Sequence, residues 1–138
     1  MKSTINDIRL IEIPKISDPD GRGNLSVVEK DIIPFAMQRA YYLYDVPSDS
    51  TRGGHAHLEL QQFLIALSGS FDVVIDDGNE RKVISLNRPY KGLYIPNGLW
   101  RELENFSAGA VCLSLVSDIY KESDYIREYD DFLLAKRT

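Results

Sequence analysis

The stretch RGGHAHLELQQF, residues 52–63, contains the only two histidines of this 138-residue chain, followed by two consecutive glutamines. A His-x-His pair usually belongs to a metal site. Residues at positions i and i+2 of a β-strand point to the same side, so His55 and His57 face inward together or outward together. Outward rings would have no evident use here, and we expect both imidazoles to face the interior of a β-barrel.

Short hydrophobic runs separated by turn-forming residues extend to both sides of this stretch, and DDGNE indicates a hairpin turn between two of them. Their lengths and spacing are typical of a sandwich or barrel. Only the tail differs, because its apolar spacing after a possible N-cap at Ser123 predicts a short amphipathic helix. The chain is therefore predicted to be all-β, an antiparallel barrel of jelly-roll type with a short C-terminal helical segment. The predicted strands are 8–13, 25–30, 39–46, 62–69, 71–75, 81–86, 92–96, 100–106 and 110–117.

Length and composition limit the remaining possibilities. A chain of 138 residues is long enough for one domain, residues 1–138, and short for two. The net charge of -5 disfavours nonspecific binding of nucleic acid. No run is long and apolar enough for a signal sequence or a membrane span. The single cysteine, Cys112, lies in an apolar run and is predicted to be buried and structural, so we expect a cytoplasmic protein with no membrane partner.

Two motifs resemble those of the cupin superfamily, whose first motif has the form G-x5-H-x-H-x(3,4)-E-x6-G. Aligning His55 and His57 with it puts Gln62 at the glutamate position and Gly69 at the closing glycine. The second motif, G-x5-P-x-G-x2-H-x3-N, resembles GLYIPNGLWRELEN, in which Arg101 stands at the histidine position. This second motif departs in one spacing, since three residues rather than five precede its proline. Both motifs in the right order favour the cupin fold.

The two replaced ligands argue against a metal cofactor. A cupin ion is held by three histidine nitrogens and one carboxylate oxygen. Gln62 offers only a neutral amide, and the Arg101 guanidinium has no lone pair and stays protonated. We therefore predict no metal and no other cofactor, and we interpret the two imidazoles as a proton-transfer device.

Nearly the whole chain, from about Arg22 to Phe132, resembles the bacterial sugar-nucleotide 3,4-ketoisomerases, the WxcM-like cupins that act on dTDP-4-keto-6-deoxyglucose. The tail SDIYKESDYIREYDDF is the most diagnostic part. The resemblance implies a metal-free homodimer whose product supplies the synthesis of 3-amino-3,6-dideoxy sugars. It leaves open the C4 configuration of the product, the nucleotide base, the aminotransferase that follows and the final glycan.

The resemblance also implies roles for individual residues. His55 is the expected base that removes the C3 proton, and His57 assists in proton relay or orientation. Tyr41 and Arg52 complete the expected catalytic set, as a donor to the sugar oxygens and as a charge near the carbonyl or the diphosphate. The expected substrate-binding residues are Arg22, Arg39, Gln62 and Arg101.

Several of these residues have competing interpretations. Arg39 and Arg52 are also consistent with surface salt bridges, and Gln62 with a buried structural hydrogen bond. Arg101 either binds phosphate or fills the former metal position and orients His55. The carboxylates of the tail KESDYIREYDDF are interpreted as a solvated helix face.

Two other functions fit the same fold. One is a dTDP-sugar 3,5-epimerase, although such enzymes are typically longer and lack the pairing of HAH with PNGLWRELENF. The other is a non-catalytic cupin that binds a sugar nucleotide. Exchange of the C3 hydrogen with solvent deuterium separates an isomerase from a binding module.

Overall fold

The computed structural model describes the backbone of residues 1–138 and every side chain except that of Lys30. Strands dominate, and one short α-helix, α1 (Tyr129–Lys136), lies at the C-terminus. Short 3-10 helices cover Ile5–Asp7, Lys30–Ile32 and Glu122–Asp124. The strands are β1 (Arg9–Glu12), β2 (Lys15–Ser17), β3 (Asn24–Ser26), β4 (Arg39–Leu43), β5 (Arg52–His57), β6 (Gln62–Ser68), β7 (Phe71–Asp76), β8 (Arg81–Leu86), β9 (Lys91–Ile95), β10 (Trp100–Glu104), β11 (Val111–Val116) and β12 (Tyr125–Ile126).

Ten of these strands form two five-stranded sheets, and β2 and β3 form a separate hairpin. The first sheet has the order β1-β9-β6-β11-β4 and the second has the order β12-β5-β10-β7-β8. All strand pairs are antiparallel. The predicted all-β, cupin-type architecture with a short C-terminal helix is therefore confirmed. None of the helices that the structure describes is long and apolar enough to cross a bilayer.

Strand register brings the motif residues together. On the second sheet, Arg101 of β10 pairs with His55 of β5. On the other side of β5, Tyr125 of β12 pairs with His57. On the first sheet, Ser114 of β11 pairs with Tyr41 of β4. The polar side chains of the two cupin-like motifs thus lie on neighbouring strands, although they are distant in sequence.

Close packing explains two glycines of these motifs. A side chain at Gly92 would overlap the ring of Phe63 on the adjacent strand β6. Gly69 has a φ of +65°, and a Cβ there would lie 2.9 Å from the Cα of Ala110. Both positions therefore exclude larger residues, because the neighbouring backbone or ring cannot move without disturbing the core.

Two strands, β2 and β12, were not predicted, and one predicted strand is wrong in its extent. Strand β5 was expected only from the His-x-His pair and not from a hydrophobic run. The run 25–30 contributes only to β3 (Asn24–Ser26), and its end enters a 3-10 helix. Strand β5 begins with Arg-Gly-Gly, and glycine is poor in strands, so the sequence pattern did not mark it.

The predicted start of the C-terminal helix is wrong. Ser123 lies within the 3-10 helix Glu122–Asp124, and α1 begins only at Tyr129. Between them, Tyr125 and Ile126 pair with β5 as strand β12. Tertiary contacts with β5 thus hold these residues in extended conformation, although their apolar spacing also suits a helix.

Candidate active site

A cavity of about 270 Å³ opens between the two sheets at the β4–β5 side of the molecule. Strands β4, β6 and β11 supply one wall, and β5, β10 and the β12 region supply the other. Leu43, Leu64, Leu103 and Cys112 give the cavity an apolar part. Its polar part is formed by Arg39, Tyr41, Arg52, His55, Gln62, Arg101, Ser114, Tyr125 and Arg127.

The cavity is cationic although the protein carries a net charge of -5. Four arginines line it, and the described lining includes no Asp or Glu. Arg127 is paired with Glu122, with Nε 2.7 Å from Oε1. For Arg39, Arg52 and Arg101, the described side chains provide no carboxylate within ion-pair distance. Such a site attracts an anionic ligand, because that ligand would supply the missing counter-charge.

Both histidines face the interior, as predicted. His55 lines the cavity, and His57 is 1% exposed behind it. The two rings meet edge to face, with centroids 4.7 Å apart. Within the described part of the chain, the Nε2 atoms of both rings are buried without a hydrogen-bond partner. Two ring nitrogens without hydrogen-bond partners next to a cavity indicate groups that can bind a ligand or accept a proton.

Both imidazoles are neutral in the empty protein. Burial, followed by the charge of Arg101, lowers the pKa of His55 from 6.5 to about 3. The same two causes, in the same order, lower the pKa of His57 to about 2. The Asp124 carboxylate near His57 acts in the opposite direction, but burial and the arginines determine the neutral state. A neutral imidazole can accept a proton, as a general base must.

A directed hydrogen-bond chain crosses the cavity wall. Arg101 donates from Nη1 to Oε1 of Gln62 over 2.6 Å, and from Nη2 to the carbonyl of Leu99 over 3.0 Å. Because guanidinium can only donate, Oε1 must face Arg101 and the amide nitrogen must face the other way. That nitrogen donates to the hydroxyls of Tyr41 at 2.8 Å and Ser114 at 2.7 Å. Both hydroxyls accept in these bonds, and Ser114 also forms a side-chain hydrogen bond with Tyr41, so the Tyr41 proton is the one left free to donate elsewhere.

The residues at the cupin metal position do not fit a metal ion. Arg101 is 1% exposed, and although burial lowers its pKa to about 10, the guanidinium stays charged at neutral pH. The amide oxygen of Gln62 already accepts from that cation. Among the side chains that the structure describes, no three His, Cys, Asp or Glu residues come close enough to hold an ion. No chemical step is therefore assigned to a metal.

The structure brings together seven of the eight predicted site residues. Six of them line the cavity: Arg39, Tyr41, Arg52, His55, Gln62 and Arg101. The seventh, His57, lies directly behind His55. The exception is Arg22, which lies on the loop between β2 and β3, with its Nη2 2.9 Å from Oδ1 of Asp18. The structure does not bring Arg22 to the cavity of its own chain.

Sequence reasoning missed four residues of the site. Ser114, Tyr125 and Arg127 line the cavity, and Asp124 contacts His57. The interpretation of the tail carboxylates as a solvated helix face is wrong for Asp124, whose side chain is 13% exposed. The cause is the strand pairing of the tail with β5, which nothing in the local sequence pattern indicates. The only indication in the sequence is the segment DYIR, residues 124–127, which is part of the tail that resembles the 3,4-ketoisomerases.

Comparisons with known proteins identify the family of this chain. The family described as "FdtA: WxcM-like, C-terminal" matches residues 6–137. The TDP-4-oxo-6-deoxy-alpha-D-glucose-3,4-oxoisomerase of Aneurinibacillus thermoaerophilus is 43% identical over 125 residues, covering 90% of this chain and 88% of the relative.

Solved structures give the same result. A 3,4-ketoisomerase from Helicobacter canadensis has 45% identity and a TM-score of 0.92, with 96% of this chain and 98% of that chain covered. A mutant of the QdtA 3,4-ketoisomerase of Thermoanaerobacterium thermosaccharolyticum was solved in complex with TDP-4-keto-6-deoxyglucose. It has 39% identity and a TM-score of 0.92, covering 97% of this chain and 96% of that chain. The chain therefore belongs to the FdtA, WxcM-like family.

Proposed function

We propose that the protein is a sugar-nucleotide 3,4-ketoisomerase. It converts dTDP-4-keto-6-deoxy-D-glucose to the corresponding dTDP-3-keto-6-deoxyhexose without a metal ion. The observation that carries this proposal is the pair of neutral imidazoles, His55 partly buried and His57 buried, at the wall of a cationic cavity with no carboxylate in its described lining. The names of the related enzymes support the same substrate class.

The arginines of the cavity bind the diphosphate in this proposal. Arg39 and Arg52 lie at the wall without a carboxylate partner among the described residues. Guanidinium groups suit phosphate oxygens, because their paired N–H donors match the spacing of two oxygens. Arg22 is left out of this set, because it lies outside the cavity and pairs with Asp18.

His55 acts as the base. Its neutral ring removes the C3 proton, and the electrons of the broken C3–H bond form a C3–C4 double bond while the C4 carbonyl oxygen becomes an oxyanion. The base exchanges this proton with solvent and delivers a proton to C4, and the proton of the C3 hydroxyl moves to O4, so that a ketone is left at C3. No proton is gained or lost overall, and the intermediate is an enediol(ate).

Arg101 and Tyr41 stabilise the developing oxyanion. Arg101 is a buried permanent cation, and a charge in a site from which water is excluded stabilises an enolate oxygen more than it would in bulk water. Burial raises the pKa of Tyr41 above its usual value, so the phenol stays protonated and can donate. Its proton is free because its oxygen already accepts from Gln62.

The experiment is incubation of the protein with dTDP-4-keto-6-deoxyglucose in D₂O, followed by NMR of the product. An isomerase gives the 3-keto sugar with deuterium at C4 and reveals the C4 configuration at the same time. A binding protein gives unchanged substrate with hydrogen at C3, and a 3,5-epimerase gives exchange at C5 as well. His55→Ala is expected to abolish turnover and to leave TDP affinity within a few fold, because the base contacts the sugar and not the diphosphate.

We also propose that the protein is a homodimer. The β2–β3 hairpin exposes Ile16 and Leu25, which are 59% and 58% exposed and are cross-strand partners. A pair of adjacent exposed aliphatic side chains is typical of a contact surface. The double substitution Ile16→Lys with Leu25→Lys should convert a dimer into a monomer in light scattering after size exclusion. Val83→Lys is the matched control, since Val83 is also an exposed strand residue.

A cytoplasmic location completes the proposal. Cys112 is a free, buried thiol, and this fits a reducing compartment. Fractionation of cells that express the chain tests it directly, because recovery outside the cytoplasmic fraction would contradict it.

A further inference from the structure

Asp124 is a partly buried carboxylate of the C-terminal tail that contacts His57. Its Oδ2 lies 3.0 Å from Nδ1 of His57, and the two side chains are 13% and 1% exposed. Oδ1 accepts from the backbone N–H of Glu59 at 2.7 Å, and Oδ2 also accepts from that of Leu60 at 3.3 Å. Three donors from the β5 region therefore fix this carboxylate, which belongs neither to the cavity wall nor to the predicted residue set.

The contact determines which nitrogen of His57 carries the proton. A carboxylate can only accept, so Nδ1 must be the protonated nitrogen and Nε2 must hold a lone pair. That Nε2 is buried and has no partner within the described part of the chain. The ring also lies against His55, with centroids 4.7 Å apart. An accepting nitrogen is thus presented beside the residue that takes the substrate proton.

We infer that Asp124 is a positioning residue of the isomerisation, which holds His57 in the Nδ1–H tautomer and fixes its ring against the base His55. This inference rests on the proposed ketoisomerase function. The Asp124 carboxylate fixes the tautomer and the orientation of the His57 ring, as an acidic partner does for the histidine of a serine hydrolase.

The other carboxylates of the tail do not have this arrangement. Glu122 is paired with Arg127 at the surface. Asp130 and Asp131 are exposed in the first turn of α1. Asp130 therefore provides a matched control, since Asp130→Asn removes a carboxylate of the same tail without touching His57.

The test is Asp124→Asn, which keeps the size and replaces one oxygen by an N–H donor. The remaining side-chain oxygen is expected to keep accepting from the backbone N–H of Glu59, since this is the shortest of the three hydrogen bonds. The new amide nitrogen then faces Nδ1 of His57 and forces the proton to Nε2. Turnover should fall by roughly 10²- to 10⁴-fold, as for an imidazole held in the wrong tautomer. The KM and the affinity for TDP should change less than threefold, and Asp130→Asn should behave like the wild type.

Tautomers are read directly from long-range ¹H–¹⁵N spectra of the imidazoles. The chain has only two histidines, so His55→Gln leaves one set of signals and assigns both rings. The wild type should show His57 protonated on Nδ1, and Asp124→Asn should show it protonated on Nε2.

The inference is overturned if wild-type His57 carries its proton on Nε2, a result that needs no variant to fold. It is also overturned if Asp124→Asn keeps turnover within threefold of the wild type. Failure of the proposed function looks different. In that case the wild type does not convert dTDP-4-keto-6-deoxyglucose, while the spectra still report the tautomer of His57.

Discussion

Lowering the pH from 7.5 to 5.5 should destabilise the folded protein through its two buried histidines. In the unfolded chain both rings titrate near the ordinary value of 6.5, whereas the folded pKa values are about 3 for His55 and about 2 for His57. The unfolded state therefore binds more protons across this range, and stability is present above pH 6.5 and lost as the pH falls through it. Carboxyl groups contribute little in the same window, since their unfolded pKa values lie near 4.

The size of this loss in stability depends only on the pKa of histidine in the unfolded chain, because both folded pKa values lie well below the range from pH 7.5 to 5.5. One unfolded histidine with a pKa of 6.5 gains about 1.4 kcal/mol from protonation between pH 7.5 and 5.5, and two gain about 2.7 kcal/mol. The free energy of unfolding should fall by about that amount. His55→Gln removes one of the two titrating rings, so the fall should shrink by about 1.4 kcal/mol in that variant.

The assay is urea unfolding followed by fluorescence of Trp100, the single tryptophan of the chain, which is buried. The protein concentration must stay fixed, because self-association of any protein makes its apparent stability concentration-dependent. The reasoning is refuted if His55→Gln loses as much stability as the wild type between the two pH values. In that case His55 is protonated, or exposed to water, in the folded protein.

Four further predictions concern the site and the motif glycine. Because His55 is already neutral, kcat/KM should stay flat from pH 8 down to 5.5, and an acid limb near pH 6.5 in the kinetics would contradict this. Arg101→Gln should lower kcat roughly 10²-fold in steady-state assays through loss of the buried cation, whereas Arg88→Gln at the surface should not. Protein purified without chelators should contain less than about 0.1 equivalent of any transition metal by mass spectrometry, since Arg101 occupies the ligand position. Gly92→Ala should destabilise the fold by about 2 kcal/mol in urea unfolding, because its methyl group overlaps the ring of Phe63; an unchanged midpoint would exclude that contact.

The strands of the two sheets could be predicted in large part, because most of them are apolar runs between turn residues. The run 81–86 matches β8 in both bounds, and DDGNE does connect β7 to β8. Strand β5 does not show a hydrophobic strand pattern, because four of its six residues are two glycines and two histidines, which suit the site better than a pleated surface. The same feature that makes β5 functional thus makes it hard to recognise as a strand.

The tail shows a different limit of sequence reasoning. The spacing of Tyr125, Ile126 and Tyr129 suits one amphipathic face, yet the first two lie in β12 and the third begins α1. Asp124 precedes them and binds His57, which lies 67 positions away in the sequence. A contact over that separation has no local signature. From its charge alone, Asp124 is predicted to lie on a solvated surface. The fold shows instead that most of its side chain is shielded from solvent.

The two replaced cupin ligands are best understood together. A glutamate at position 62 would also accept from Arg101, but only an amide can both accept from the guanidinium and donate to the two hydroxyls. Together they set the donor-to-acceptor direction of the hydrogen bonds that run from Arg101 through Gln62 to Tyr41 and Ser114. Reversing the amide would place N–H against N–H, so the direction cannot change while the guanidinium is present. The pair that replaces the metal ligands therefore also presents a cation and the free hydroxyl proton of Tyr41 to the cavity, and these are donors that an enediolate oxygen requires.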